Sequence, residues 1–411
     1  MTDTKHATAD VELKRSLSLP LITFYGLGTI IGAGIYVLIG EVAGKAGIYA
    51  PFAFLLAAIV AAFSAFSYAE LSARFPLSAG EAVYVKQAFD RRWLTIATGW
   101  SVVLIGTVSA ATLANGFIGY LGLFVRLPDW LAISLLVVGL GLLAAWGISQ
   151  SVWVATVITV LELLGLLIVL FVARDALTAL PQRWLELIPP PTAEVWSGIA
   201  LGGFLAFYAF IGFEDMVNVA EEVKNPRRNL PLAIILALCV STVLYMLVAL
   251  TAVLALPIET LSQSTAPLAT VIEYHNQGSP VSIGLISLVA VINGALIQII
   301  MASRVMYGMA RQNVAPRFFG NVNPFTRTPV RATMSTTLAV LVLALWLPLV
   351  TLAQITSFIT LAVFALINLA LWRLKMLTPH PAGVVRYPLW VPVIGFMLCL
   401  SLMITQLMSH I

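Results

Sequence analysis

Eleven apolar runs follow one another between residues 18 and 408. Each reaches the ~17–20 residues that an α-helix needs to cross a bilayer. They cover 18–41, 47–74, 92–122, 129–147, 151–174, 195–221, 229–256, 279–310, 330–349, 351–373 and 387–408. Of the 411 residues, 60% are hydrophobic and 10% charged, where a soluble domain carries about 25% charge. No protein interior hides that much apolar surface, so lipid must cover much of it. The chain reads as an all-α, multi-pass membrane protein. The runs lack the alternation over about ten residues that a membrane barrel requires.

The basic residues set the orientation. With residues 1–17 as a cytoplasmic tail, eighteen of the 22 Lys and Arg fall on the cytoplasmic side, Arg74, Arg227, Arg304 and Arg386 among them. Lys45, Arg126, Arg174 and Arg183 stay outside, as the positive-inside rule demands. The C-terminus then faces outward, and a plasma membrane (the inner membrane of a bacterium) is the expected location. The net charge of +4 reflects this bias and calls for no nucleic acid. All four histidines, His6, His275, His380 and His410, fall in loops or tails, so metal-dependent or triad chemistry lacks its residues. Cys239 and Cys399 form no spacing motif. No cofactor or resident metal is expected. Nothing resembles the charged or carbonyl rings of a channel.

Two stretches break the helical pattern. "GLGTIIGAGIYVLIG" (26–40) holds Gly26, Gly28, Gly32 and Gly34, and each interior glycine costs a helix about 1 kcal/mol against alanine. "LGGFLAFYAFIGFEDMVNVAEEVKNPRRNLP" (201–231) holds Gly202, Gly203 and Gly212, followed by Glu214 and Asp215. The two lie five spans apart, and an odd number of spans inverts the second unit relative to the first. Interrupted helices at matching places in two halves point to a transporter site. Residues 18–174 and 195–373 are therefore expected to be inverted halves, with 387–408 as an added helix. Close packing through Gly28 and Gly32 is the competing explanation. Unwinding frees backbone groups, which are tolerated at mid-membrane only where they line a cavity. Freed amides at a half-helix N-terminus attract a carboxylate, and freed carbonyls attract an ammonium. A ligand with both groups is an amino acid.

Four segments are similar to the signatures of the amino acid–polyamine–organocation transporters: "GLGTIIGAGIYVLIGEVAG" (26–44), "SYAELSARFPLSAGEAVYVKQAF" (67–89), "FYAFIGFEDMVNVAEEVKNPRRNLP" (207–231) and "ASRVMYGMARQNVAPRFFGNVNPFTRTPVRA" (302–332). The first is most similar to the cationic amino acid transporter-like branch. The resemblance implies a LeuT-like 5+5 inverted repeat with broken first and sixth helices, working by alternating access. It implies that the substrate carboxylate meets the amides of Gly32, Ala33 and Gly34. The ammonium would meet the carbonyls of Ile30, Tyr208 and Ile211, with Tyr208 in the outer gate and Glu214 in gating. A β-branched residue at Gly34 is then expected to abolish binding and spare folding. Of the buried amides Asn293 and Gln298, at least one should face the interior; Asn293 lines the site or bonds a neighbouring helix. Glu70 is expected to pair with an Arg or Lys. Relatives that bind arginine or lysine can carry an acid in the third span, where this chain has Ile105. Small or medium neutral L-amino acids are therefore expected, with cationic amino acids or polyamines as the alternative.

Glu162 is the sole charge in "SVWVATVITVLELLGLLIVLFVA" (151–173), and an acid at that depth is a functional candidate. Proton-coupled relatives place a lysine at the matching position. A protonated glutamate can donate to main-chain carbonyls, here those of Gly28 and Ile31, whereas an ionised one needs a cation between. Proton carriage is the leading expectation and a sodium ion the alternative. An amino acid sensor on the same scaffold is the other functional class. Oligomeric state is not readable.

Overall fold

The computed structural model describes residues 15–77, 80–146, 152–275, 280–379, 381 and 383–409. Residues 1–14 of the expected tail, and 147, 151 and 279 at expected span ends, lie outside that set. The described chain is helical, and its one β-type contact is an isolated bridge between Leu17 and Val223.

The helices are α1 (Leu19–Ala46), α2 (Ala50–Arg74), α3 (Gly80–Phe89), α4 (Arg92–Leu121), α5 (Asp129–Trp146), α6 (Val152–Val172), α7 (Arg174–Thr178) and α8 (Leu180–Arg183). They continue as α9 (Ala193–Phe207), α10 (Pro226–Ala255), α11 (Ile258–Gln263), α12 (Pro267–Tyr274), α13 (Pro280–Arg311), α14 (Val330–Trp346), α15 (Leu349–Leu377) and α16 (Trp390–Met408). A helix runs through each of the eleven apolar stretches. Among the described residues, eight helical stretches are long and apolar enough to cross a membrane, and three shorter apolar ones accompany them. The chain is an integral, multi-pass membrane protein.

Proline punctuation works as its chemistry dictates at some ends and not at others. Asn225 takes a left-handed conformation (φ 50°, ψ 58°) and hands over to Pro226 at the first turn of α10, where a missing N–H costs nothing. Pro231 lies inside α10. The helix absorbs it one turn in.

α1 and the 193–222 segment sit at the centre of the molecule. α6 and α10 pack against α1, α2 against α9, and α13 runs along α4. α15 packs on α4 and α2, and α16 lies against α15 and α2. Glu70, fully buried near the end of α2, receives Arg74 at 2.6 Å and Lys375 of α15 at 2.6 Å. The Tyr387 amide adds a third bond at 2.9 Å. The expected pairing is met twice over.

Candidate functional site

Both expected breaks are present, back to back. α1 loses helical geometry at Gly32 (φ −14°, ψ −152°). The second segment leaves the α-helix after Phe207, makes one 3₁₀ turn over Tyr208–Phe210, and extends at Ile211 (φ −67°, ψ 137°). Gly212 then takes φ 130°, a conformation open to glycine and strained for other residues. A Cβ on Gly212 would also run into the main chain at Thr29. The Thr29 hydroxyl donates to the Gly212 carbonyl at 2.9 Å. These contacts lock one break onto the other.

The glycines of α1 divide between the two explanations the sequence offered. A Cβ on Gly26 would meet Met216, one on Gly28 would meet Thr159, and one on Gly34 would lie 2.7 Å from the Ala209 Cα. These three permit close approach. Gly32 differs: nothing lies within 4 Å of its would-be Cβ. The expectation that a β-branched residue at Gly34 spares folding is thereby corrected, because that side chain would push the two breaks apart.

Between the breaks lies a cavity with about 430 Å³ of atom-free space. Ile30, Gly32, Gly34, Tyr208 and Ile211 line it, together with Gly28. The backbone of Ala33 lies between two of these residues. The sequence reading had left out Ser109 and Leu113 of α4, Thr29, and Gly294 and Ile297 of α13. Gln298, half-buried, is the amide that reaches the wall. Asn293 is not on that wall. Its amide points to Glu162, donating to Oε1 at 3.5 Å. Tyr208 is held across the cavity by Ser109, hydroxyl to hydroxyl at 2.9 Å.

Tyr245 of α10 was missed altogether. Its hydroxyl lies 2.8 Å from the Ile30 carbonyl and 3.0 Å from the Ala209 carbonyl, touching both breaks with one group. A hydroxyl has a single proton to give, and a carbonyl can accept twice. Ile30 therefore retains capacity for a second donor. No spacing rule distinguishes Tyr245 from an ordinary aromatic in an apolar span.

Glu162 is fully buried on α6. Oε1 has the Asn293 contact, and Oε2 has no hydrogen-bond partner. Thr159, one turn earlier on α6, occupies the face over Gly28 and donates to the Phe24 carbonyl at 3.2 Å. Tyr36 of α1 donates to the main-chain oxygen of Glu162, at 2.5 Å.

A second cavity, with about 410 Å³ of atom-free space, lies beyond Gln298. Glu81 of α3, Glu214 and Asp215 line it, all buried. Glu214 accepts from the Gly212 amide at 2.8 Å, capping the break, and Asp215 accepts from Gln298 at 3.5 Å. Tyr68 donates to Glu81 at 3.4 Å. Burial pushes the Glu81 carboxyl up to about 7, opposed by its own main-chain amide and by Tyr68, and aided by Asp215. Gln298 lines both cavities.

A family model for amino acid permeases matches residues 17–409. The chain belongs to the amino acid permease family. Among its relatives, the branched-chain amino acid permease BcaP of Bacillus subtilis is 30% identical over 97% of this permease and 89% of its own length. The mitochondrial cationic amino acid transporter 3 of Arabidopsis thaliana is 29% identical over 90% of this chain. The methylthioribose transporter of Bacillus subtilis is 28% identical over 95% of this chain and 88% of its own length. The chain spans about three fifths of the length of the Arabidopsis relatives, 63% and 61% for two of them. These names describe transporters rather than enzymes, and the resemblance to the amino acid–polyamine–organocation superfamily, cationic amino acid transporter-like branch, is borne out.

Proposed function

We propose that this permease moves amino acids across its membrane by alternating access, with residues 18–174 and 195–373 as the inverted halves of a LeuT-like fold and 387–408 as an added helix. The observation that carries the reading is the pair of abutting breaks around one cavity. The amides of Gly32, Ala33 and Gly34 bind the substrate carboxylate, and the carbonyls of Ile30, Tyr208 and Ile211 bind its ammonium. Tyr208 gates one side. Glu214, fixed to the Gly212 amide, gates the other.

The substrate is a small or medium neutral L-amino acid. In favour of this, Ile30, Leu113, Ile211 and Ile297 line the cavity together with glycines and neutral polar groups, and among the described residues no charged side chain lines it. A cationic side chain there would lack a partner. A relative named for cationic amino acids keeps the cationic class as the second reading. A thermal-shift screen with the twenty amino acids separates them. Stabilisation by alanine-to-leucine-sized neutral residues supports the first, and stabilisation mainly by arginine or lysine supports the second. Saturable binding with neither uptake nor exchange in proteoliposomes would make the protein a sensor instead.

Proton coupling runs through Glu162. A carboxyl group in such surroundings, with one oxygen unpartnered, is stable when neutral or when balanced by a cation. A proton meets that need with Asn293 alone as neighbouring donor. A sodium ion would call for several more oxygen ligands, and remains the alternative.

A further inference from the structure

The ends of α15 and α16 that meet beside Glu70 form an open groove unrelated to the central cavity. Lys375, Met376, Pro379, Arg386, Tyr387 and Leu389 line it, around about 950 Å³ of space. Its chemistry is split. Met376 and Leu389 are exposed and apolar, and Arg386 is an exposed cation. Beneath it the carboxylate of Glu70 is outnumbered by Arg74 and Lys375, so the ion cluster itself is left positive. A further cation approaches from α10, where Arg227 Nη1 lies 3.9 Å from the point a Cβ on Gly383 would occupy.

The apolar side continues away from this charge. Trp390, Val393, Ile394 and Met397 are all exposed and recur at the spacing of one helix face. Trp372 and Met376 of α15 are exposed as well. A positive head beside an exposed apolar helix face matches a molecule with an anionic head and acyl tails. Basic pockets between membrane helices, with an aromatic at the interface, suit anionic lipid headgroups.

We propose that this groove is a binding site for an anionic phospholipid of the leaflet that faces the basic loops. The phosphate sits against Arg386, with Arg227 reinforcing the field, and one acyl chain lies along the exposed Trp390–Met397 face of α16. Lys375 contributes through the positive balance of its cluster, since its ammonium is already held by Glu70 and the Tyr387 carbonyl.

The test is thermal unfolding of the purified full chain in detergent, titrated with phosphatidylglycerol or with phosphatidylcholine of the same acyl chains. Phosphatidylglycerol is expected to raise the unfolding temperature more than phosphatidylcholine. Arg386→Gln should weaken its apparent affinity about fivefold, and Arg227→Gln added to it by a similar factor. Arg386→Lys should retain the preference. Equal shifts from the two lipids would overturn the proposal. So would wild-type phosphatidylglycerol affinity in Arg386→Gln, or the same shift from inorganic phosphate alone.

Discussion

A side chain added at Gly32 enters empty space, whereas one added at Gly34 collides with the Ala209 backbone. Two glycines in one short motif therefore give different outcomes on substitution. Gly32→Val should fold with its unfolding temperature maintained, yet lose amino acid-induced stabilisation, because the new methyls fill the space between the breaks. Gly34→Val should lose both, through the overlap with backbone that cannot move aside. Thermal unfolding with and without saturating substrate reads both variants at once. Gly32→Val that still responds to substrate would remove the carboxylate from the first break. Tyr245→Phe is the third informative change at this scale. It deletes one hydroxyl shared by the Ile30 and Ala209 carbonyls, and leaving buried acceptors unpaired costs about 1–3 kcal/mol. A lowered unfolding temperature, partly restored when a substrate ammonium reaches Ile30, is the expected result.

The elements around the site carry two ionic devices. Glu70 joins α2 to α15 and, through the Tyr387 amide, to the loop before α16, with the Arg74 and Lys375 side chains nearly buried. Glu70→Gln should cost about 3–5 kcal/mol, since removing one partner strands two buried cations. Glu81 fixes α3 beneath the second break, and its carboxyl titrates near 7 against an ordinary 4.5. The folded state thus holds the proton more tightly than the unfolded chain. Stability is fullest below about 4.5 and falls as pH rises toward 7, by roughly 3 kcal/mol in all. Glu81→Gln should flatten that slope in unfolding measurements at pH 5 and pH 8. Most of the helices were legible in the sequence because lipid imposes long uninterrupted apolar runs, and the breaks were legible because Gly32 and Gly212 violate that pattern. The partners were not. Whether Asn293 or Gln298 faces the cavity depends on helix rotation, which an almost uniformly apolar span does not encode. The position of Thr159, rather than Glu162, over Gly28 is hidden for the same reason. Gly34 misled because a glycine needed for close approach and one needed for unwinding look alike in one dimension.

At the scale of the whole molecule, two cavities share Gln298 in their walls, and a buried carboxyl on α6 stands beside α1. Under the proposed reading, alternating access would open one cavity at a time, and Glu162 would supply the link to the driving ion. Glu162→Gln keeps a hydrogen-bonding group of the same shape and removes titration. Gln298→Ala should merge the cavities and raise leak of substrate down its gradient, read as faster efflux from loaded proteoliposomes. The central claim is met most directly by one measurement: accumulation of a radiolabelled neutral amino acid in proteoliposomes under an imposed inward proton gradient, without sodium, for the wild type and for Glu162→Gln. The account predicts accumulation above equilibrium in the wild type, and exchange without accumulation in the variant. Accumulation by Glu162→Gln at the wild-type rate would contradict it.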